Sequence, residues 1–374
     1  MRGHHLMHVA LIVDEERLAH EQATLNRMCI GLIGDGIQIT RIVPETLGTE
    51  ALGAGEKRVA LASRVATEMT VLPWMRRDRA HRIADQMDKG PPDVIYAIGD
   101  RAWKLGVDLA RSIDRPLALD VWSAAQLRRL PRGRAAAAVY GYIAPTQPIL
   151  DALRRRIDEN LTYLVPMGIA IPPKPRAILS DPDRSISLAI LGGGRDVPAY
   201  RALLAGLSRV VRTTSQIQAF LELSGPNEHE IWRHANRLEL LHNVSALTDA
   251  AQHRNLLTYC DVVLLPEQYG ELRSLMLDAM AFGIPVLAND DAFLDMLIDG
   301  DTAVVVDPAD AETWARKISW VLGDPDEARA LGRRGRDWVA GRHRSTDQIN
   351  RLIEVFHRIG RGGAIPFETG GGKN

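Results

Sequence analysis

One stretch constrains the fold more than any other: DVVLLPEQYGELRSLMLDAMAFGIPVLAND, from Asp261 to Asp290. It reads as a buried strand, a loop with paired carboxylates, an amphipathic helix, a Gly-Pro stop and a second buried strand. Strands that run apolar on both faces belong to a parallel sheet covered by helices on each side. A loop that turns into a helix at such a sheet edge leaves the first helical N–H groups unpaired, which favours an anion there.

The same alternation runs through the rest of the chain. His8–Val13, Gln38–Val43, Met69–Leu72, Asp93–Ile98, Pro116–Val121 and Leu161–Val165 read as strands, and Ala135–Ala144 is apolar with strand character near its end. Helical periods at Arg17–Gly34, Arg79–Met87, Arg101–Ile113 and Thr146–Ile157 lie between them. The Pro-rich stretch Pro172–Asp183 reads as a linker, after which the pattern restarts. Strands are expected at Ile186–Leu191, Ile217–Leu223, Val262–Leu265, Pro285–Ala288 and Thr302–Val306. Helices are expected at Ala199–Val211, Glu228–Leu238, Ala311–Leu322, Asp326–Trp338 and Thr346–Ile359.

Length agrees with two halves, since 374 residues exceed what one core usually supports. The reading is α/β, with two doubly wound Rossmann-like domains. Expected bounds are an N-terminal domain 1–172, a linker 173–185, a C-terminal domain 186–345, a crossover helix 346–360 and a flexible tail 361–374. Such a layout places a ligand in a cleft at the carboxyl ends of the strands.

A net charge of -1 gives no global field for nucleic acid or an acidic membrane. The two cysteines, Cys29 and Cys260, sit in apolar surroundings and read as buried reduced thiols of a cytoplasmic protein. No apolar run reaches the roughly 20 residues of a membrane span. His4, His5 and His8 read as a functionally silent terminus. Zinc spacing, a P-loop, a G-x-S-x-G elbow and a kinase signature are all absent from the sequence.

Several motifs together resemble one family. They are LGGGR (Leu191–Arg195), LSGPNEHE (Leu223–Glu230), the Asp261–Asp290 run, DGDTAVVVDPADAETWARKISWVLGDP (Asp299–Pro325) and LGRRGRDWV (Leu331–Val339). This half is similar to the retaining GT-B-fold glycosyltransferases of group 1, the GT4-like kind. Pro91–Ser123, Ile143–Leu153 and Tyr163–Pro172 resemble the family's first domain more weakly. The resemblance implies a GT-B fold with two Rossmann-like domains facing a cleft and the last helix packed back on the first domain. It implies transfer of a sugar, with retention, from a UDP- or GDP-sugar to an acceptor: a lipid, a polysaccharide or a small molecule. It implies no metal, no nucleic acid and at most peripheral contact at the inner membrane face.

On this reading the helix near Leu272 offers the amides of Leu272, Arg273, Ser274 and Leu275 to the distal phosphates. Ser274 reads equally as a hydroxyl ligand or a helix cap. Asp278 stands where the family's second glutamate receives the ribose hydroxyls. The first glutamate's position is Gly270, and the neighbouring Glu271 is the substitute for the carboxylate facing the sugar. Glu267, at the strand end, is a weaker one. Gly193, Gly194 and Arg195 match the loop that contacts the diphosphate. The lysine that usually follows is Tyr200 here, and Arg201 is either its replacement or a solvated helix residue.

The N-terminal half departs further from the family. Its Gly-Gly loop reads DEERLAHEQ (Asp14–Gln22), and Trp122 stands for the expected histidine. His20, Asp100 and Asp120 are acceptor-side candidates or structural residues. The basic segments around Trp74, Arg76, Arg77 and Arg79, and around Arg128, Arg129, Arg132 and Arg134, are either solvated loops or surfaces for an acidic acceptor or membrane. The alternative to an enzyme is a catalytically inactive GT-B-like module that binds nucleotide or protein.

Overall fold

The computed structural model describes residues 6–45, 62–87, 90–181, 183–214, 216–223, 225–247, 254–307 and 309–362. His4, His5 and the tail beyond residue 362 lie outside the described residues. The described residues up to Trp122, those in Gln126–Val165 and those from Thr346 onward form one compact unit; Ser123–Ala125 and Pro166–Ser345 form the other.

The first unit is built on β1 (His8–Val13), β2 (Gln38–Pro44), β3 (Ser63–Thr67), β4 (Val94–Ile98), β5 (Leu117–Asp120), β6 (Val139–Ala144) and β7 (Thr162–Leu164). All pair in parallel in the order β3-β2-β1-β4-β5-β6-β7. The helices α1 (Glu15–Gly34), α2 (Arg76–Asp85), α3 (Asp100–Ile113) and α4 (Gln147–Arg154) connect them. One face of the sheet is covered by α1 and by the last helix, α10 (Ser345–Gly362). Ile349, Leu352, Val355, Phe356 and Ile359 of α10 join the core around Val9, Leu11 and Tyr96. Two glycines make room for it. A Cβ on Gly31 would lie 2.0 Å from Ile349 Cδ1, and one on Gly141 would lie 2.5 Å from Ile359 Cδ1.

Met69–Leu72, expected as a strand, is not one. The edge strand is Ser63–Thr67, whose exposure alternates. Beyond it the buried Arg79 guanidinium takes the carbonyls of Glu68 and Met69, both at 3.0 Å, and Leu72 is turned outward. Met69 itself is buried, so the apolar letters there mark a loop that dips once into the core and then turns out.

The second unit contains β8 (Ile186–Ile190), α5 (Val197–Val211), β9 (Ile217–Glu222), α6 (Glu228–Arg237), β10 (Val244–Leu247), β11 (Val262–Leu265), α7 (Ser274–Ala281), β12 (Val286–Asn289), β13 (Val304–Val306), α8 (Ala311–Gly323) and α9 (Pro325–Arg342). Its parallel sheet runs β10-β9-β8-β11-β12-β13. One face packs on α5, α6 and α8 around Trp314, the other on α7 and α9. The stretch read as a linker is tied into this unit: Leu179 N–H donates to Asp261 at 3.1 Å, and Arg184 Nη2 reaches the same buried carboxylate at 2.5 Å. Strand β10 has no counterpart in the sequence reading, because only Val244 of its four residues is fully buried. Helix α7 begins at Ser274 and not near Leu272: Arg273 is extended, with φ -114 and ψ 134.

Each sheet reverses its winding once, between β1 and β4 and between β8 and β11. In doubly wound sheets the crevice outside the carboxyl ends of those strands is where ligands sit. In the second unit the loops after β8 and β11 carry Gly192–Arg195 and Glu267–Arg273.

His343, at the end of α9, is buried, and its Nδ1 lies 2.8 Å from the Met167 carbonyl. Burial holds the imidazole down at about 4 from 6.5. Between those values the unfolded chain binds a proton that the folded unit refuses, so stability falls as pH drops from 6.5 toward 4. Denaturant midpoints at pH 7 and pH 4.5 should show a loss roughly 2 kcal/mol smaller in His343→Gln than in the native chain. An equal loss in both would contradict this account.

Candidate functional site

A cavity in the second unit opens at the reversal point. It is lined by Gly192, Gly193 and Arg195 after β8, by Glu267, Tyr269, Glu271 and Arg273 after β11, and by Asn289 and Asp291 after β12. Its floor is apolar, with Leu191, Leu265, Leu275, Met276 and Ala288.

The glycine loop is shaped by close approach. Gly194 has φ +66, a conformation that suits glycine. A Cβ on Gly192 would lie 2.5 Å from the Tyr200 hydroxyl. Gly225 supports the loop from behind, since a Cβ there would lie 1.7 Å from the Gly193 carbonyl oxygen. Asn227 Nδ2 donates to the Arg195 carbonyl at 3.2 Å.

Carboxylates of the same chain meet each positive group of the cavity. Glu222, fully buried at the end of β9, accepts from Arg273 Nη1 and Nη2 at 2.7 Å each and from Gly192 N–H at 3.0 Å. Arg195 Nη2 donates to Glu271 Oε2, and its guanidinium lies 4.9 Å from the centre of the Tyr269 ring. Glu267 accepts from the N–H groups of Gly193, Arg195 and Asp196.

Of the residues expected at the donor site, Gly193, Arg195, Glu271, Arg273 and Leu275 line this cavity. Leu272 and Ser274 are fully buried. Ser274 Oγ accepts from Arg254 Nη2 at 2.5 Å, and Asp278 accepts from Arg254 Nε at 2.7 Å. Arg254 thus holds the carboxylate expected to receive ribose. Arg201 does not line the cavity and pairs with Glu230 at 2.5 Å. Gly270, where the family has its first glutamate, has φ +57, and a Cβ there would lie 2.8 Å from Ala124 Cβ and Phe293 Cβ. Asp291 fixes this turn by accepting from Gly270 N–H at 2.7 Å.

In the first unit a second polar group gathers at the carboxyl ends of β1, β4 and β5. Asp14 accepts from Arg17 N–H at 3.0 Å and Arg101 N–H at 3.2 Å, bridging the starts of α1 and α3. Gly99 must be glycine, for a Cβ would lie 2.2 Å from that carboxylate. Arg17 stacks 4.0 Å over Trp122 and lies 3.9 Å from Asp120. Burial pushes the Asp120 carboxyl up to about 6, against the pull of Arg17. Gln126 joins Trp122 N–H at 2.8 Å to Asp100 at 2.7 Å. His20 is partly exposed on α1. Of the basic segments, Arg79 is buried against Asp108, and Arg129 pairs with Asp100.

Sequence reading missed Glu222, Arg254, Tyr269, Asn289 and Asp291, and it ranked Glu267 low. Only Glu222 offered a signal, as a lone carboxylate ending an apolar strand. No group of three or more His, Cys, Asp or Glu side chains among the described residues forms a metal site.

Residues 188–338 match the family described as glycosyl transferases group 1. The alpha-1,3/1,6-mannosyltransferase alg-2 of Neurospora crassa is 34% identical over 91 residues, 24% of this chain and 19% of that protein. The MMP alpha-(1->4)-mannosyltransferase of Mycolicibacterium hassiacum is 31% identical over 143 residues, 38% of this chain and 31% of that protein. The chain therefore spans less than a third of the length of either relative. Solved structures match over far more. A glycosyltransferase from Rickettsia africae superposes with a TM-score of 0.71 at 14% identity, covering 95% of this chain and 99% of that one. Anabaena Alr3699/HepE, in complex with UDP-glucose, gives 0.73 at 14% identity over 94% and 100%. At such identity the likeness establishes the fold, GT-B with two Rossmann-like halves.

Two substitutions test the loop geometry. Gly225→Ala should destabilise the protein by about 2 kcal/mol or more, because backbone meets backbone and no rotamer relieves it. Gly270→Glu, which writes the family's glutamate back, should cost a similar amount through its positive φ and crowding. Denaturant unfolding checks both; native-like midpoints would show that the loops yield.

Proposed function

We propose, from the match of residues 188–338 to the group 1 glycosyl transferases, that the chain moves a sugar from a nucleoside-diphosphate sugar to an acceptor with retained configuration. One observation carries the reading most directly: the glycine loop, Arg195, Glu271 and Arg273 meet around a single cavity at the β8/β11 reversal. A diphosphate needs positive charge and N–H donors, and this edge supplies both.

The Arg195–Glu271 pair suggests how the site works. A diphosphate competes for the Arg195 guanidinium. Once Arg195 turns to it, the Glu271 carboxylate is released to accept hydroxyls of the transferred sugar. Charge growing on the departing diphosphate is then stabilised by Arg195 and by loop amides. Asp278 meets the ribose if Arg254 yields its place. On the acceptor side, Asp120 is the group able to hold or release a proton near pH 6, beside Arg17 and Trp122. The acceptor is a lipid, a polysaccharide or a small molecule. Exposed Leu72, Trp74 and Met75 next to Arg76 and Arg77 support peripheral contact with an anionic membrane surface.

A second reading, a GT-B-like binding module without catalysis, is favoured by the carboxylates already seated on Arg195, Arg273 and the glycine loop.

Calorimetric titration with UDP, GDP and their sugars decides between them. Native protein should bind one nucleotide, and Arg195→Ala should weaken it about 10- to 100-fold, the worth of a charged hydrogen bond. Asp278→Ala should weaken nucleotide binding similarly. Glu271→Gln, which takes the competing charge off Arg195, should tighten nucleotide binding by up to about 10-fold and slow transfer or donor hydrolysis at least 100-fold or so. A native protein that binds none of these ligands sinks the donor reading. Binding without turnover of the sugar favours the second reading.

A further inference from the structure

Glu267 follows β11, the strand beside β8, and its carboxylate crosses to the glycine loop. Its two oxygens accept three backbone N–H groups: Gly193 at 2.7 Å, Arg195 at 2.5 Å and Asp196 at 2.9 Å. Convergent main-chain donors at a glycine-rich turn leading into a helix are the arrangement that holds a phosphate. Here a side chain of the same protein fills it. A guest anion that takes these same three N–H groups must displace the carboxylate, because it is already their acceptor. A further donor points to a larger guest. The Tyr200 hydroxyl is fully buried beside Gly192 and Glu267, and it has no acceptor for its proton among the described residues.

We propose that Glu267 is a specificity-determining residue, a tethered anion that a ligand phosphate must displace before it can occupy the glycine loop. A carboxylate presents two oxygens and one charge. A phosphate group of a diphosphate presents more acceptor oxygens, one of which suits Tyr200. Linkage to the chain gives the carboxylate a high local concentration, so weakly charged or single-phosphate ligands lose the competition. The site thereby selects for a ligand with two adjacent phosphates, whose second phosphate takes Arg195. The identity of the natural ligand rests on the donor reading above; the displacement itself does not.

Inorganic pyrophosphate is the probe, because it carries neither nucleoside nor sugar. Titrations compare native protein with Glu267→Gln and Glu267→Ala at fixed ionic strength. In Gln the charge is lost and one oxygen becomes an NH2 that opposes a loop N–H, so the side chain holds the turn less tightly without a volume change. Both variants should bind pyrophosphate at least about 10-fold tighter than native protein, and Glu267→Ala should gain orthophosphate binding as well. Affinity unchanged or weakened in folded variants overturns the proposal, since Glu267 would then be a brace and not a competitor. Where a variant does not fold, amide NMR of the native protein decides. Saturating pyrophosphate should shift Gly193, Arg195 and Asp196, and unmoved resonances overturn it. If pyrophosphate behaves as expected while no nucleotide sugar binds, only the donor reading fails.

Discussion

The buried clamp between Glu222 and Arg273 is the interaction on which the cavity depends. Glu222 has no solvent contact, and its two oxygens serve a guanidinium and the first N–H of the glycine loop. It joins three strand ends: β9, which carries it; β8, whose loop it caps; and β11, whose following loop ends at Arg273. Neither charge is stable there alone, and losing one partner of such a pair typically costs about 3–5 kcal/mol. The spacing between the glycine loop and the start of α7 is therefore held by electrostatics within the protein before any ligand arrives.

Both sheets handle their reversal point in the same way. In the first unit Asp14 takes N–H groups from the starts of α1 and α3; in the second, Glu267 takes three from the glycine loop. Each carboxylate answers the N–H groups that a doubly wound sheet turns toward that edge. Burial is the larger force on Asp14 and raises its carboxyl, whereas the two amides pull it down. DEERLAHEQ is thus a glycine-free solution: the chain supplies the anion and needs no close-approach loop there.

Much of the architecture was legible because parallel strands buried on both faces are unbroken apolar runs. The spans β8, β9, β11 and β12 fall within a residue or so of where pattern placed them. Strand β10 escaped because an edge strand with two exposed residues carries little pattern. Met69–Leu72 misled because its apolar letters lie past the end of the edge strand, with Met69 buried and Leu72 turned outward. At the site, glycines announced the loop and the carboxylates announced themselves, but their partners did not. Glu267 reaches across 74 positions to Gly193, and Arg254 across 24 to Asp278. Which arginine meets which carboxylate is settled by strand order and turn direction. A shift from Gly270 to Glu271 reads as a one-letter exchange in sequence, yet in space it exchanges a crowded left-handed turn for a side chain on Arg195.

The seating of α10 on Gly31 and Gly141 carries a consequence for biosynthesis. The first unit exposes an unfinished apolar face until Ile349–Ile359 leave the ribosome, more than 300 residues after Gly31. By then every strand of the second unit has been made. Synthesis from the N-terminus thus leaves the earlier unit to finish last, a non-local closure of the kind that slows folding. The absence of a side chain at Gly31 and Gly141 is what allows a helix made so late to dock on a helix and a sheet made so early.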